Sequence, residues 1–192
     1  MRKIVAVENV SLDGVMQAPG GPDEDTRGGF TLGGWAASYH DDVMMREMSR
    51  GFGQDLLFGR RTYEQFYEFW PKQEGNPFTE VLNNAAKYVV SNSLHAELPW
   101  VNSTLLSGDI ATAVATLRNQ PGSDLTIIGS GELVRCLTEH ALIDEYQLLI
   151  HPVLLNSGRR LFPDTGSFAE LELVNSVTTT TGVIIATYRP RD

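Results

Sequence analysis

A chain of 192 residues, 42% hydrophobic and 20% charged, is long enough to bury a real core and reads as one globular domain spanning 1–192. The formal net charge of −9 argues against nucleic acid or an anionic membrane as the main partner, so an anionic small molecule would need a local cluster of donors. No segment approaches the roughly 18 consecutive apolar residues of a spanning helix, and the lone Cys136 excludes an internal disulfide and fits a reducing cytoplasm.

The N-terminal "MRKIVAVENV" predicts a first strand over 3–10, its apolar stretch being too brief for a signal peptide. Residues 16–36 follow, with six glycines, two prolines and no clear period. A loop of this length is a lid, a binding loop or a surface excursion. Phe30 and Trp35 within it are costly to leave in solvent without a task, which makes them candidates for substrate contact. A helix is predicted over 38–50, a strand over 55–58 and helices over 61–68 and 77–84. Strands at 87–91 and 124–128 alternate with helices at 109–119 and 131–140, and a long strand is expected at 145–151. Cys136 lies in the apolar pattern of the last of these helices, so a buried inert thiol is expected. The final stretch reads as two strands joined at Thr181-Gly182, a hairpin signal. Alternation followed by a hairpin predicts an α/β fold with a mostly parallel sheet and antiparallel strands added at the end.

Three strand ends share one chemistry. "DLLF" runs into Gly59-Arg60-Arg61-Thr62, "KYVV" into Ser91-Asn92-Ser93, and "DLTII" into Gly129-Ser130-Gly131-Glu132. In open α/β sheets ligands sit outside the carboxyl ends of strands, where helix N-termini offer free N–H groups and a partial positive charge. Glycine lets an anion approach the backbone, arginine adds a planar fork, and Thr and Ser add hydroxyl donors. Each signal alone is equally well an ordinary turn. The dinucleotide fingerprint G-x-G-x-x-G fails, because Val134 stands at its third glycine. Together the three ends suit one extended, multiply phosphorylated ligand.

The ordered motifs "SLDG" (11–14), "GRRTYE" (59–64), "KYVVSNSL" (87–94), "GSGELVRCL" (129–137) and "DEYQLLIHPVLLNSGRRLF" (144–162) cover nearly the whole chain. In them the chain resembles the dihydrofolate reductase-like superfamily, and within it the reductase domain of bacterial riboflavin biosynthesis enzymes. The resemblance implies a three-layer α/β/α domain with a mixed sheet of about eight strands and an NADPH-dependent reductase acting on a small pterin-like or aminopyrimidine-like heterocycle. It implies that Gly59, Arg60 and Thr62 hold the cofactor's phosphates, and that Ser91 and Asn92 lie near the adenosine ribose. Gly129, Ser130, Gly131, Glu132 and Leu133 would wrap the pyrophosphate and nicotinamide side, with Ala6 and Gly14 near the reacting centre. The arginine that many relatives carry beside Asn92 is absent, which leaves the choice between NADP and NAD open.

For the acid, the resemblance points to a carboxylate on the helix before "GRRT", where spacing favours Asp42 over Asp41 and Glu47. It also points to Asp13 in the "SLDG" loop. Each has a plain alternative, Asp42 as a solvated residue at a helix start and Asp13 as a loop cap. Histidines at 40, 95, 140 and 151 show no metal-ligand spacing, so no metal is expected, and no deaminase signature appears. Arg159 and Arg160 read as surface residues, and Gly158 as a turn. By analogy the chain is expected to form a homodimer. The competing reading is a dinucleotide-binding module of the same fold without turnover, and a third is an α/β protein whose glycines only make turns.

Overall fold

The structure is a computed structural model and describes residues 1–50, 54–95, 97–164, 166 and 168–191. Among these residues eight strands form one sheet: β1 (Ile4–Ser11), β2 (Asp55–Gly59), β3 (Lys87–Val90), β4 (Ser103–Leu106), β5 (Leu125–Ile128), β6 (Glu145–His151), β7 (Leu171–Thr178) and β8 (Ile184–Pro190). Their order is β4-β3-β2-β5-β1-β6-β8-β7. β2 pairs in parallel with β3 and β5, and β3 with β4, whereas β8 is antiparallel to both β6 and β7. The expected mixed sheet with its closing hairpin is present. Among the described residues five α-helices accompany it: α1 (Asp42–Ser49), α2 (Arg60–Phe69), α3 (Pro77–Asn84), α4 (Ile110–Arg118) and α5 (Gly131–Glu139).

Two compact units divide the chain. The first comprises Met1–Val5 and Gly51–Ile143. Its core gathers Leu56 and Phe58 of β2, Val89 of β3, Tyr63 of α2, Leu82 of α3 and Trp100. Phe66 and Trp70 follow Tyr63 at helical spacing and pack on the same cluster, which fixes the buried face of α2. Lys87 is wholly buried in β3, and its Nζ donates to the carbonyls of Leu82, Asn83 and Ala85 at the end of α3. Burial draws its pKa down to about 8, against the opposing pull of Asp55. β4 is absent from the sequence-based expectations. Its sequence STLL is only partly buried and lies at the end of the strand order, so neither alternation nor an apolar run marks it.

The second unit comprises Ala6–Arg50 and Asp144–Asp192. Met44 of α1, Leu149 of β6, Val183 and Ile185 form one cluster, with Val7, Tyr39 and Met48 against it. Helix α1 begins at Asp42 rather than at residue 38, because Asp41 is extended (φ −149°) and caps the helix by accepting from Met44 N at 2.8 Å. The preceding Ala37–Tyr39 forms a 3-10 turn. Segment 16–36 is tied down by buried Gln17. Its Nε2 donates to Asp25 O and Arg27 O, its Oε1 accepts from Arg159 N, and its carbonyl accepts from Trp35 Nε1 at 2.8 Å. At Gly158 (φ +104°) a Cβ would lie 2.8 Å from both Phe30 and Val15, so glycine serves packing here as well as the turn.

Candidate functional site

In the first unit the apolar run of β2 stops at Gly59, and α2 starts on the next residue. β5 ends at Ile128, and α5 starts three residues later. Because β2 and β5 are parallel, both helix starts follow strand ends of the same polarity. One hydrogen bond joins them directly, from Gly59 N to Ser130 Oγ at 2.9 Å. Ser130 is left-handed (φ 65°), as is Gly129 (φ +63°), and a Cβ on Gly129 would lie 3.4 Å from Thr62. That conformation folds the β5 end against the first turn of α2.

Helix caps separate these two helices from the rest. Helices α1, α3 and α4 are capped by the side chains of Asp41, Asn76 and Asp109. At α2 and α5 the N-cap residues Gly59 and Ser130 make no side-chain hydrogen bond to the first turn of their own helix. The positive ends of two helix dipoles therefore lie beside one hydrogen-bonded junction, an arrangement suited to an anion. Arg60 stands on the first turn of α2 with its side chain 40% exposed, its Nε 3.9 Å from Glu64. On α5, Leu133 turns its side chain into the core and gives its N–H to Ser130 O, whereas Glu132 is exposed. Ser91 is buried, its Oγ accepting from the N–H groups of Ser93 and Leu94. Asn92 is spent on Gly108, accepting from its N–H at 2.6 Å and donating to its carbonyl at 3.0 Å. Gly59, Arg60, Thr62, Gly129, Ser130 and Gly131 are thus brought together, while Asn92 is engaged in holding the 107–108 turn. Cys136 is half-buried rather than buried, and its thiol is pushed up by burial and then by Glu139 and Asp109, which disfavours the thiolate.

In the second unit the "SLDG" turn is closed by Gly14 (φ +83°), whose N–H donates to Ser11 O. Asp13 accepts from Ser11 Oγ (2.7 Å), Leu155 N (3.0 Å) and Asn156 N (2.8 Å). Desolvation alone would raise its pKa, but these bonds outweigh it and bring the value to about 2. The carboxylate is ionised at neutral pH and committed to residues 155–156, a geometry of loop anchoring rather than of proton donation. Asp42 is exposed in the first turn of α1. Phe30 is 5% exposed and packs with Val15, Ala18 and Leu155, so its ring is taken up by the core. Trp35 stays half-buried beside that cluster. Ala6 is fully buried in β1.

Two buried titratable groups lie on β1 and β6. Glu8 is 1% exposed, and its Oε1 has no hydrogen-bond partner among the described residues; burial holds its carboxyl well above the ordinary range. His151, also 1% exposed, meets Asn9 Oδ1 at 2.9 Å through Nε2. Burial, then the charge of His40, lowers its pKa to about 4, so the ring is neutral. Nothing in the apolar runs "VAVENV" and "QLLIH" signals either role. Among the described residues there is no cluster of three or more metal-ligating side chains, and no helix is long and apolar enough to cross a membrane.

This strand order, with two bare helix starts after β2 and β5, defines a dihydrofolate reductase-like α/β protein. The chain belongs to the RibD C-terminal domain family, whose model matches residues 2–185. It is 30% identical over 141 residues to the uncharacterized protein YyaP of Bacillus subtilis (strain 168), covering 69% of this chain and 72% of that one. Among solved structures, it resembles a putative riboflavin biosynthesis protein from Shewanella sp. PV-4 (TM-score 0.70, 21% identity, 99% of both chains). A pyrimidine reductase-like protein from Corynebacterium diphtheriae matches with TM-score 0.69 and 14% identity, over 100% of this chain and 93% of that one. Dihydrofolate reductase from Enterococcus faecalis, solved with NADP(H) and RAB-propyl, matches with TM-score 0.61 and 15% identity, over 99% and 97%.

Proposed function

We propose that the protein is an NADPH-dependent reductase that transfers a hydride to a small heterocycle, pterin-like or aminopyrimidine-like, in the cytoplasm. The observation that carries this reading is the junction of α2 and α5, two uncapped helix starts joined by the Gly59–Ser130 hydrogen bond. In this reading Gly59, Arg60 and Thr62 hold phosphate at the start of α2. Gly129, Ser130, Gly131 and the backbone of Glu132 and Leu133 follow the pyrophosphate, and Ser91 borders the ribose. Ala6 and Gly14 serve the nicotinamide side. Bound NADPH would supply the hydride, and the chain's own task is to orient the reactants and exclude water.

Asp13 acts here by fixing the turn, and Trp35 by flanking the substrate. A homodimer belongs to the same proposal: β7 ends the strand order and exposes Leu173 and Val174. A non-catalytic NADP(H)-binding module is the second reading, favoured by the ionised state of Asp13 and the exposure of Asp42. The deciding experiment is NADPH oxidation with a panel of dihydropterins and aminopyrimidines, run beside NADPH titration. Turnover with any of them supports the reductase, binding without turnover supports the module, and absence of NADPH binding overturns both.

A further inference from the structure

Along β1 side chains alternate between faces, so Val7 and Asn9 share one face and Ala6 and Glu8 the other. Leu149 and His151 of β6 are related in the same way. Val7 and Leu149 belong to the cluster around Met44, and one step further along each strand the apolar pair gives way to Asn9 and His151, hydrogen-bonded at 2.9 Å. Trp35 and Tyr39 set their rings edge-on to His151, with centroids at 5.2 and 5.4 Å. Both aromatic residues are themselves held, Trp35 by its bond to Gln17 O and Tyr39 by Thr181 Oγ1, which donates to its carbonyl at 2.6 Å.

The hydrogen bonds fix which way the Asn9 amide faces. His151 Nδ1 is buried and has no partner among the described residues. A bare lone pair there costs less than a stranded N–H, so the proton sits on Nε2 and donates to Asn9 Oδ1. The Asn9 amide nitrogen then carries two N–H donors, for which no acceptor is found among the described residues, on a residue that is only half-buried. An oriented donor pair, held by a histidine that is itself fixed between two aromatic rings, is a recognition element that the folded chain alone does not use.

We infer that Asn9, oriented by His151, whose ring Trp35 and Tyr39 flank, binds a planar heterocycle through a carbonyl oxygen on its edge. Asn9 is the binding residue and His151 the positioning residue. Only the statement that this heterocycle is the reductase's substrate rests on the function proposed above.

The test compares two probes of one shape, lumazine, with carbonyl acceptors, and 2,4-diaminopteridine, with amino donors in their place. Calorimetry on the full chain should give wild-type binding that favours lumazine. Asn9→Asp keeps the acceptor facing His151 but replaces the outward donors by a carboxylate oxygen. It should weaken lumazine about tenfold or more and reverse the preference. His151→Phe keeps an aromatic ring and frees the amide to flip, so the ratio of the two affinities should move toward one, which lost packing alone would not do. In wild-type protein, the Asn9 side-chain amide resonance should shift with lumazine. Wild-type protein that binds neither probe, or does not discriminate between them, overturns the inference, as does an Asn9→Asp protein with unchanged preference. NADPH titrated into the same samples separates the two claims: if it fails to bind, the reductase reading falls while the probe preference still decides Asn9.

Discussion

Replacing Arg60 by alanine removes the one guanidinium on the first turn of α2 that the cradle is proposed to use. A charge-assisted hydrogen bond to phosphate contributes about 1.5–3 kcal/mol. Two features push the expected loss to the low end. The side chain is 40% exposed, and Glu64 lies 3.9 Å away, so solvent and a carboxylate already screen the charge. A loss of about 1.5 kcal/mol corresponds to roughly tenfold weaker NADPH binding, measurable by calorimetry at two salt concentrations. The salt dependence should also become shallower, because one phosphate contact is gone. Folding stability should stay nearly constant, since a half-exposed pair at this distance contributes about 0.5 kcal/mol or less. An NADPH affinity within a factor of two of wild type, with an unaltered salt slope, would refute the placement of phosphate at Arg60.

Asp13→Asn should destabilise the second unit and flatten its acid response. The folded pKa of about 2 lies below the ordinary 3.8, so the carboxylate's contribution is complete above the latter and vanishes as pH falls through the former. Denaturant melts between these pH values should decline for wild type and decline less steeply for the variant, in which other carboxylates with lowered pKa still titrate. Gly158→Ala should cost roughly 2 kcal/mol or more in the same assay, because its Cβ meets Phe30 and Val15 at 2.8 Å with φ at +104°. Lys87→Met fills the same volume but strands the carbonyls of Leu82, Asn83 and Ala85. Thermal unfolding should show a loss of roughly 2–3 kcal/mol, and unchanged stability would mean that water replaces the ammonium.

The hand-over from β2 to α2 was legible because "DLLF" is a continuous apolar run that stops at a glycine, and the helix that follows has its aromatic residues at helical spacing. The hairpin was legible for a similar reason, since Gly182 takes the positive φ of +87° that its turn needs. The start of α1 was not, because Ser38 and Tyr39 continue the helical period while the capping geometry of Asp41 decides where the helix begins. Phe30 shows the limit of composition. Its size argues that it is out of solvent, which it is, but not whether its ring enters the core or a ligand site. Asn92 follows the end of β3, and its amide is claimed by Gly108, sixteen residues on. The Asn9–His151 pair joins residues 142 apart, and no local pattern reports a contact of that separation. Local periodicity therefore reveals elements and their ends, while the partners of polar side chains emerge only once the sheet is assembled.

The central claim is that the starts of α2 and α5 receive the phosphates of a dinucleotide. Titrating NADPH into uniformly labelled protein and following backbone amide resonances tests it most directly. The account predicts that Gly59–Thr62 and Gly129–Gly131 shift together, saturably and ahead of all other amides. Absence of binding, or shifts that leave these two junctions untouched, would contradict it.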